Sequence, residues 1–113
     1  RVVVEPYEPV MVTKWRIDPN DPGVSLAEVA FHPRPGERTV SVSLDDEAGW
    51  PVRGSIEQEG NYVGPFCGET EKPMPIEPGK DVWVVVYSGV CDGSATVATS
   101  GTIEVTFFRG SRR

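Results

Sequence analysis

The stretch "TVSVSL", Thr39–Leu44, decides the fold. Val40, Val42 and Leu44 occupy every second position, and Thr39, Ser41 and Ser43 fill the others. That period of two places apolar side chains on one face of an extended chain and hydroxyls on the other. Two more runs repeat it. "VRGSIEQ" (Val52–Gln58) sets Val52 and Ile56 against Arg53, Ser55 and Glu57, and "TIEVTFF" (Thr102–Phe108) sets Ile103, Val105 and Phe107 against Thr102, Glu104 and Thr106. "VWVVVY" (Val82–Tyr87) is apolar at both parities and reads as a central strand covered on both faces, with Trp83 in the core. "VMVTKWRI" (Val10–Ile17) groups Met11, Trp15 and Ile17, and Trp15 also reads as core.

Between Gly23 and Pro33, "GVSLAEVAFHP" changes apolar parity at Leu26 and Ala27. A bulged strand explains the change; one helical turn is the alternative, because Ser25 and Glu28 have capping-box spacing. The bulged strand is the reading adopted. Turn chemistry separates the runs: "DPNDPG", "HPRPGE", "DDEAGWP", "EGN", "IEPGKD" and "CDGS". Seven to nine short strands in one domain of 113 residues predict an all-β antiparallel sandwich of jelly-roll type. Residues 1–9 are expected to form an N-terminal arm or an exchanged strand.

Eleven prolines and twelve glycines exceed what a compact helical domain tolerates, which agrees with many turns. The net charge of −6, with scattered basic residues, argues against a nucleic-acid partner. No apolar run approaches the length of a membrane span. The chain opens on Arg1 without a signal-peptide pattern, and so reads as a mature chain released by processing or as a fragment of a longer one.

Cys67 and Cys91 are the two cysteines. A redox pair takes C-x-x-C spacing, and a zinc site needs further Cys or His ligands, whereas His32 is the single histidine and lies far upstream. A disulfide is the reading adopted, with two buried free thiols as the alternative. The disulfide places the chain in an oxidising compartment, outside the cell or at its surface.

Hydrolytic chemistry lacks its parts: His32 sits in "FHP", and no G-x-S-x-G elbow is present. The chain is therefore expected not to be an enzyme and to need no cofactor. Calcium has two candidate turns. Asp18, Asn20 and Asp21 precede Gly23 as in a calcium loop, but Pro22 and Val29 stand at the fifth and twelfth positions, where ligands belong. Asp45, Asp46 and Glu47 form the second cluster of hard oxygen donors.

Aromatic rings in turns stack on sugar faces. Trp50 in "GWP" and Tyr62 and Phe66 in "GNYVGPF" fall in expected loops and are the candidate ligand-binding residues. Val2, Val3 and Val4 form a short β-prone run that could pair with the sheet edge of a second copy.

From about residue 39 to 109 the chain resembles the bacterial pre-peptidase C-terminal type of domain. The likeness rests on "GERTVSVSLDD", "IEPGKDVWVVVYSG" and the closing "SGTIEVTFF". The resemblance implies a small jelly roll serving as a non-catalytic accessory module of a secreted protein. It assigns no functional residue. Two roles are expected on these grounds: recognition of protein or carbohydrate at the cell surface, or self-assembly as a fibre subunit through the N-terminal strand.

Overall fold

The computed structural model describes residues 11–17, 26–91 and 100–109. They form eight strands: β1 (Met11–Arg16), β2 (Leu26–Phe31), β3 (Glu37–Asp46), β4 (Val52–Gln58), β5 (Asn61–Cys67), β6 (Met74–Pro75), β7 (Val82–Val90) and β8 (Ser100–Arg109). One sheet has the order β1-β8-β3-β6 and the other β2-β7-β4-β5. All pairings are antiparallel. Strand 1 pairs with 8, 2 with 7, 3 with 6 and 4 with 5, the nested order of an eight-stranded jelly roll.

Alternation sets the inner faces. On β3, Val40, Val42 and Leu44 are at most 2% exposed, and on β8 Ile103, Val105 and Phe107 are at most 1%. They stand in direct register as Val40·Phe107, Val42·Val105 and Leu44·Ile103. Met11, Trp15 and Ile17 join this core, as expected. Across it the second sheet contributes Phe31, Val52, Ile56, Val82, Val84 and Val86.

Two glycines let backbone and side chain approach closely. A Cβ on Gly54 would lie 2.5 Å from Leu44 Cδ1 of the opposite sheet. A Cβ on Gly101 would lie 1.9 Å from the Asp45 carbonyl oxygen. That same oxygen accepts a hydrogen bond from Trp15 Nε1 at 3.3 Å. The indole on β1 therefore reaches over β8 to β3 because residue 101 has no side chain.

The turn "RPGE" before β3 follows from its residues. Pro35 fixes φ at the second position, Gly36 takes φ 90° at the third, and Glu37 N–H donates to Arg34 O at 3.1 Å. The fully buried Glu37 carboxylate then accepts from Arg34 Nη2 and the Arg34 backbone N–H, each at 2.6 Å. Cys67 and Cys91 are joined in a disulfide with Cα atoms 6.0 Å apart. Cys67 pairs with Arg53, and Val90, next to Cys91, pairs with Val52. The bridge thus straps β5 to the end of β7 across the first residues of β4.

Three expectations are corrected. β2 holds unbroken register with β7 from Leu26 to Phe31, so those residues contain no bulge and Glu28 lies in a strand. Ala27, Val29 and Phe31 take the inner parity and Leu26 turns outward. Tyr62 and Phe66 lie on β5 rather than in a loop, because an edge strand accommodates the proline and glycine that suggested one. Trp83 is 40% exposed, on the outer face of β7. Residues 1–10, and with them Val2, Val3 and Val4, lie outside the described residues.

Replacing Gly101 with alanine is expected to destabilise the fold more than Gly54→Ala. The first meets a backbone carbonyl and the second the tip of a rotatable leucine, an overpacking that costs about 1–3 kcal/mol. Denaturant unfolding of both variants measures the order. Cys67→Ser/Cys91→Ser is expected to lower stability by about 3 kcal/mol in the same assay, from the 24-residue separation that the disulfide closes.

Candidate functional site

The outer face of the sheet β2-β7-β4-β5 is divided into two unlike rows. In the first, Glu28, Val85, Ser55 and Pro65 stand in register from strand to strand. Val85 is 2% exposed and Ser55 1%, and the Tyr87 hydroxyl lies 3.3 Å from Ser55 Oγ. The middle of this row is closed. In the second, Ala30, Trp83, Glu57 and Tyr62 stand in register, with Trp83 40% and Tyr62 59% exposed. This row is open.

Strand geometry gives the open row its dimensions. Directly opposite side chains have Cβ atoms about 5 Å apart, so Trp83 and Tyr62 stand about 10 Å apart with the Glu57 carboxylate between them. A bulge where Ile56 and Glu57 meet β5 lets Tyr62 face outward while Val63 and Phe66 pack on the core. Two shallow concavities flank the indole. One, of about 290 Å³, is lined by Glu28, Glu57, Gln58, Glu59, Gly60 and Trp83. The other, of about 500 Å³, is lined by Glu59, Gly79, Lys80, Asp81 and Trp83.

Gln58 lines the first of these concavities and ties it to the neighbouring turn. It is 4% exposed, donates from Nε2 to Glu77 O at 2.9 Å and to Lys80 O at 3.3 Å, and accepts from Glu77 N–H at 2.7 Å. One side chain thereby fixes the turn at residues 77–80 against the end of β4. Near that turn Lys80 faces Glu77 at 3.1 Å, and His32 Nδ1 lies 2.5 Å from Asp81 Oδ1.

The residues expected to bind ligand do not converge. Trp50 is 50% exposed, and its N–H donates to Asp46 Oδ1 at 2.8 Å in the turn before β4. Tyr62 follows the turn after β4, so the seven residues of that strand, about 20 Å, separate the two rings. Phe66 points inward, is half-buried, and lines a separate concavity of about 300 Å³ with Pro65 and Met74.

In the acidic turn at residues 45–47, two of the three carboxylates accept hydrogen bonds from the protein itself. Asp46 Oδ1 accepts from the N–H groups of Ala48 and Trp50, and Glu47 Oε2 accepts from the Ser100 hydroxyl. Among the described residues no group of three or more His, Cys, Asp or Glu is placed to hold a metal ion. Asp18, Asn20 and Asp21 lie outside the described residues.

Trp83 and its carboxylate neighbours are what sequence reasoning missed. A signal was present in "VWVVVY", where Val82, Val84 and Val86 occupy one parity and both aromatic residues, Trp83 and Tyr87, fall with Val85 on the other. Compact β-branched residues suit a sheet's inner face, while an aromatic ring with a polar edge suits a half-wet one. Comparison with family models, with curated proteins and with solved structures returned no match.

Proposed function

We propose that this chain is a non-catalytic recognition module of a secreted or cell-surface protein, and that it binds through the open row of the sheet β2-β7-β4-β5. The observation that carries this reading is the exposure of Trp83 and Tyr62 in one cross-strand row with Glu57 between them. Two exposed aromatic rings about 10 Å apart match an extended chain lying across the strands. The sandwich behind them is a rigid support, which lowers the ordering cost of binding. The disulfide favours an oxidising compartment, and the resemblance to pre-peptidase C-terminal domains points the same way.

A second reading, a subunit that assembles by strand exchange, is favoured by one observation. Among the described residues β1 is an edge strand of its sheet, and Val12 on it is 62% exposed. Such an edge offers backbone groups to an added strand.

Two outcomes are expected. Trp83→Ala changes thermal unfolding by no more than about 1 kcal/mol, as for surface substitutions, whereas a core tryptophan would cost about 3–5 kcal/mol. In titrations of ¹⁵N-labelled protein with panels of soluble oligosaccharides and peptides, the shifts of any binder map to Trp83, Glu57 and Tyr62. Shifts that centre on Trp50 or Phe66 would show that the binding face has been misassigned.

A further inference from the structure

We infer that the partner of the open row is an arginine-bearing, extended segment of another protein; this rests on the recognition face proposed above. Four acids surround Trp83: Glu57 directly opposite on β4, Glu28 diagonally placed on β2, Glu59 in the turn after β4, and Asp81 just before β7, where it also faces His32. Among the described residues, the basic groups beside the row, Lys80 in the larger concavity included, face acids of their own. Lys80 faces Glu77 and His32 faces Asp81. Arg53 lies on the same face but four residues from Glu57, about 13 Å along the strand and beyond the closed row.

The chemistry of that row selects a donor. Carboxylates accept and do not donate, and the face of an aromatic ring is negative. A guanidinium carries five N–H donors, no acceptor and a planar face, so it can stack on an indole and bond to carboxylates together. A sugar hydroxyl donates a single uncharged O–H to a carboxylate, a weaker hydrogen bond than the charge-assisted pair a guanidinium makes. An ammonium matches the charge but not the stacking surface. An extended peptide places alternate side chains about 7 Å apart on one side, which lets two arginines reach the concavities on either side of Trp83. Gly60 in one lining and Gly79 in the other add no side chain to those concavities.

The test is an NMR titration of the ¹⁵N-labelled chain with a ten-residue peptide of alternating arginine and serine, at low and at 0.3 M salt. Parallel titrations use the same peptide with glutamine for arginine, a glucosamine pentamer and a neutral glucose pentamer. The expected result is saturable shifts of the Trp83 indole N–H and the Glu57 and Tyr62 amides with the arginine peptide, at least tenfold weaker with the glutamine peptide. Affinity falls at least tenfold in Trp83→Ala and in Glu57→Gln/Glu59→Gln. It stays within twofold in Glu71→Gln/Glu104→Gln, which removes equal charge outside the row.

Equal losses from both charge pairs would overturn the inference, since the attraction would then be that of any acidic protein. Binding of either pentamer at this row without the arginine peptide would overturn the inference and leave the recognition face standing. Arginine-peptide shifts that map away from Trp83 would overturn both.

Discussion

Val40, Val42 and Leu44 on β3 lie in register with Phe107, Val105 and Ile103 on β8, and all six are at most 2% exposed. The strands that form this ladder are separated in sequence by β4, β5, β6 and β7. The rest of the molecule is placed by reference to it. β1 adds to the free side of β8 and β6 to the free side of β3. The second sheet packs its inner valines across it, with Leu44 filling the space that Gly54 leaves. A non-local pairing of this kind carries a loop-closure cost before its contacts form, which makes the ladder the entropically expensive step of folding. Its apolar alternation is correspondingly strict.

That ladder also explains why the two sheets present different outer faces. The outer side of β3 and β8 carries Ser41, Ser43, Thr102, Glu104 and Thr106, short or charged groups, with one aromatic residue, the half-buried Phe108, near the end of β8. The outer side of β7 carries Trp83 and Tyr87. One exposed aromatic residue on a soluble domain is ordinary. Trp83 differs because Tyr62 stands in its row, two concavities border it, and the next row on the same sheet is closed over Ser55 and Val85. The sheet could have covered this row as it covers its neighbour. Leaving it open forgoes burial of two rings, a loss that a binding face recovers when its partner arrives.

How much of this was legible in the sequence depends on whether a residue's neighbours along the chain determine its face. For Thr39–Leu44 and Thr102–Phe108 they do, because strict alternation leaves one choice of inner face. The disulfide was legible by the scarcity of other partners for Cys67 and Cys91. Trp83 was not, because a run apolar at both parities fits either orientation, and the decision came from register with Glu57 and Ala30 on other strands. Tyr62 was misplaced for a different reason. Pro65 and Gly64 imitate a loop, yet a β-bulge opposite Ile56 and the Met74 side chain packed over Gly64 turn the segment into an edge strand. Local composition cannot see a bulge whose cause lies on the neighbouring strand.

The disulfide and the row proposed for recognition lie at opposite ends of β4. At its start, the Cys67–Cys91 bridge straps the flanking strands, and Cys91 N–H and Gly68 N–H donate to the carbonyls of Pro51 and Val52. At its end, Gln58 holds the turn at residues 77–80 through three hydrogen bonds. Glu57, one residue before Gln58, therefore projects from a strand that is anchored at both ends, between two rings whose own strands it pairs with. A carboxylate placed in this way loses little freedom when a partner arrives, so the free energy of the contact is retained as affinity. Trp50 precedes β4 in a turn and is held there through its backbone, whose N–H donates to the Asp46 carboxylate and whose carbonyl accepts from Asp46 N–H. Two exposed tryptophans on one small domain thus differ in what stands behind them, and only the ring beside Glu57 is backed by a sheet.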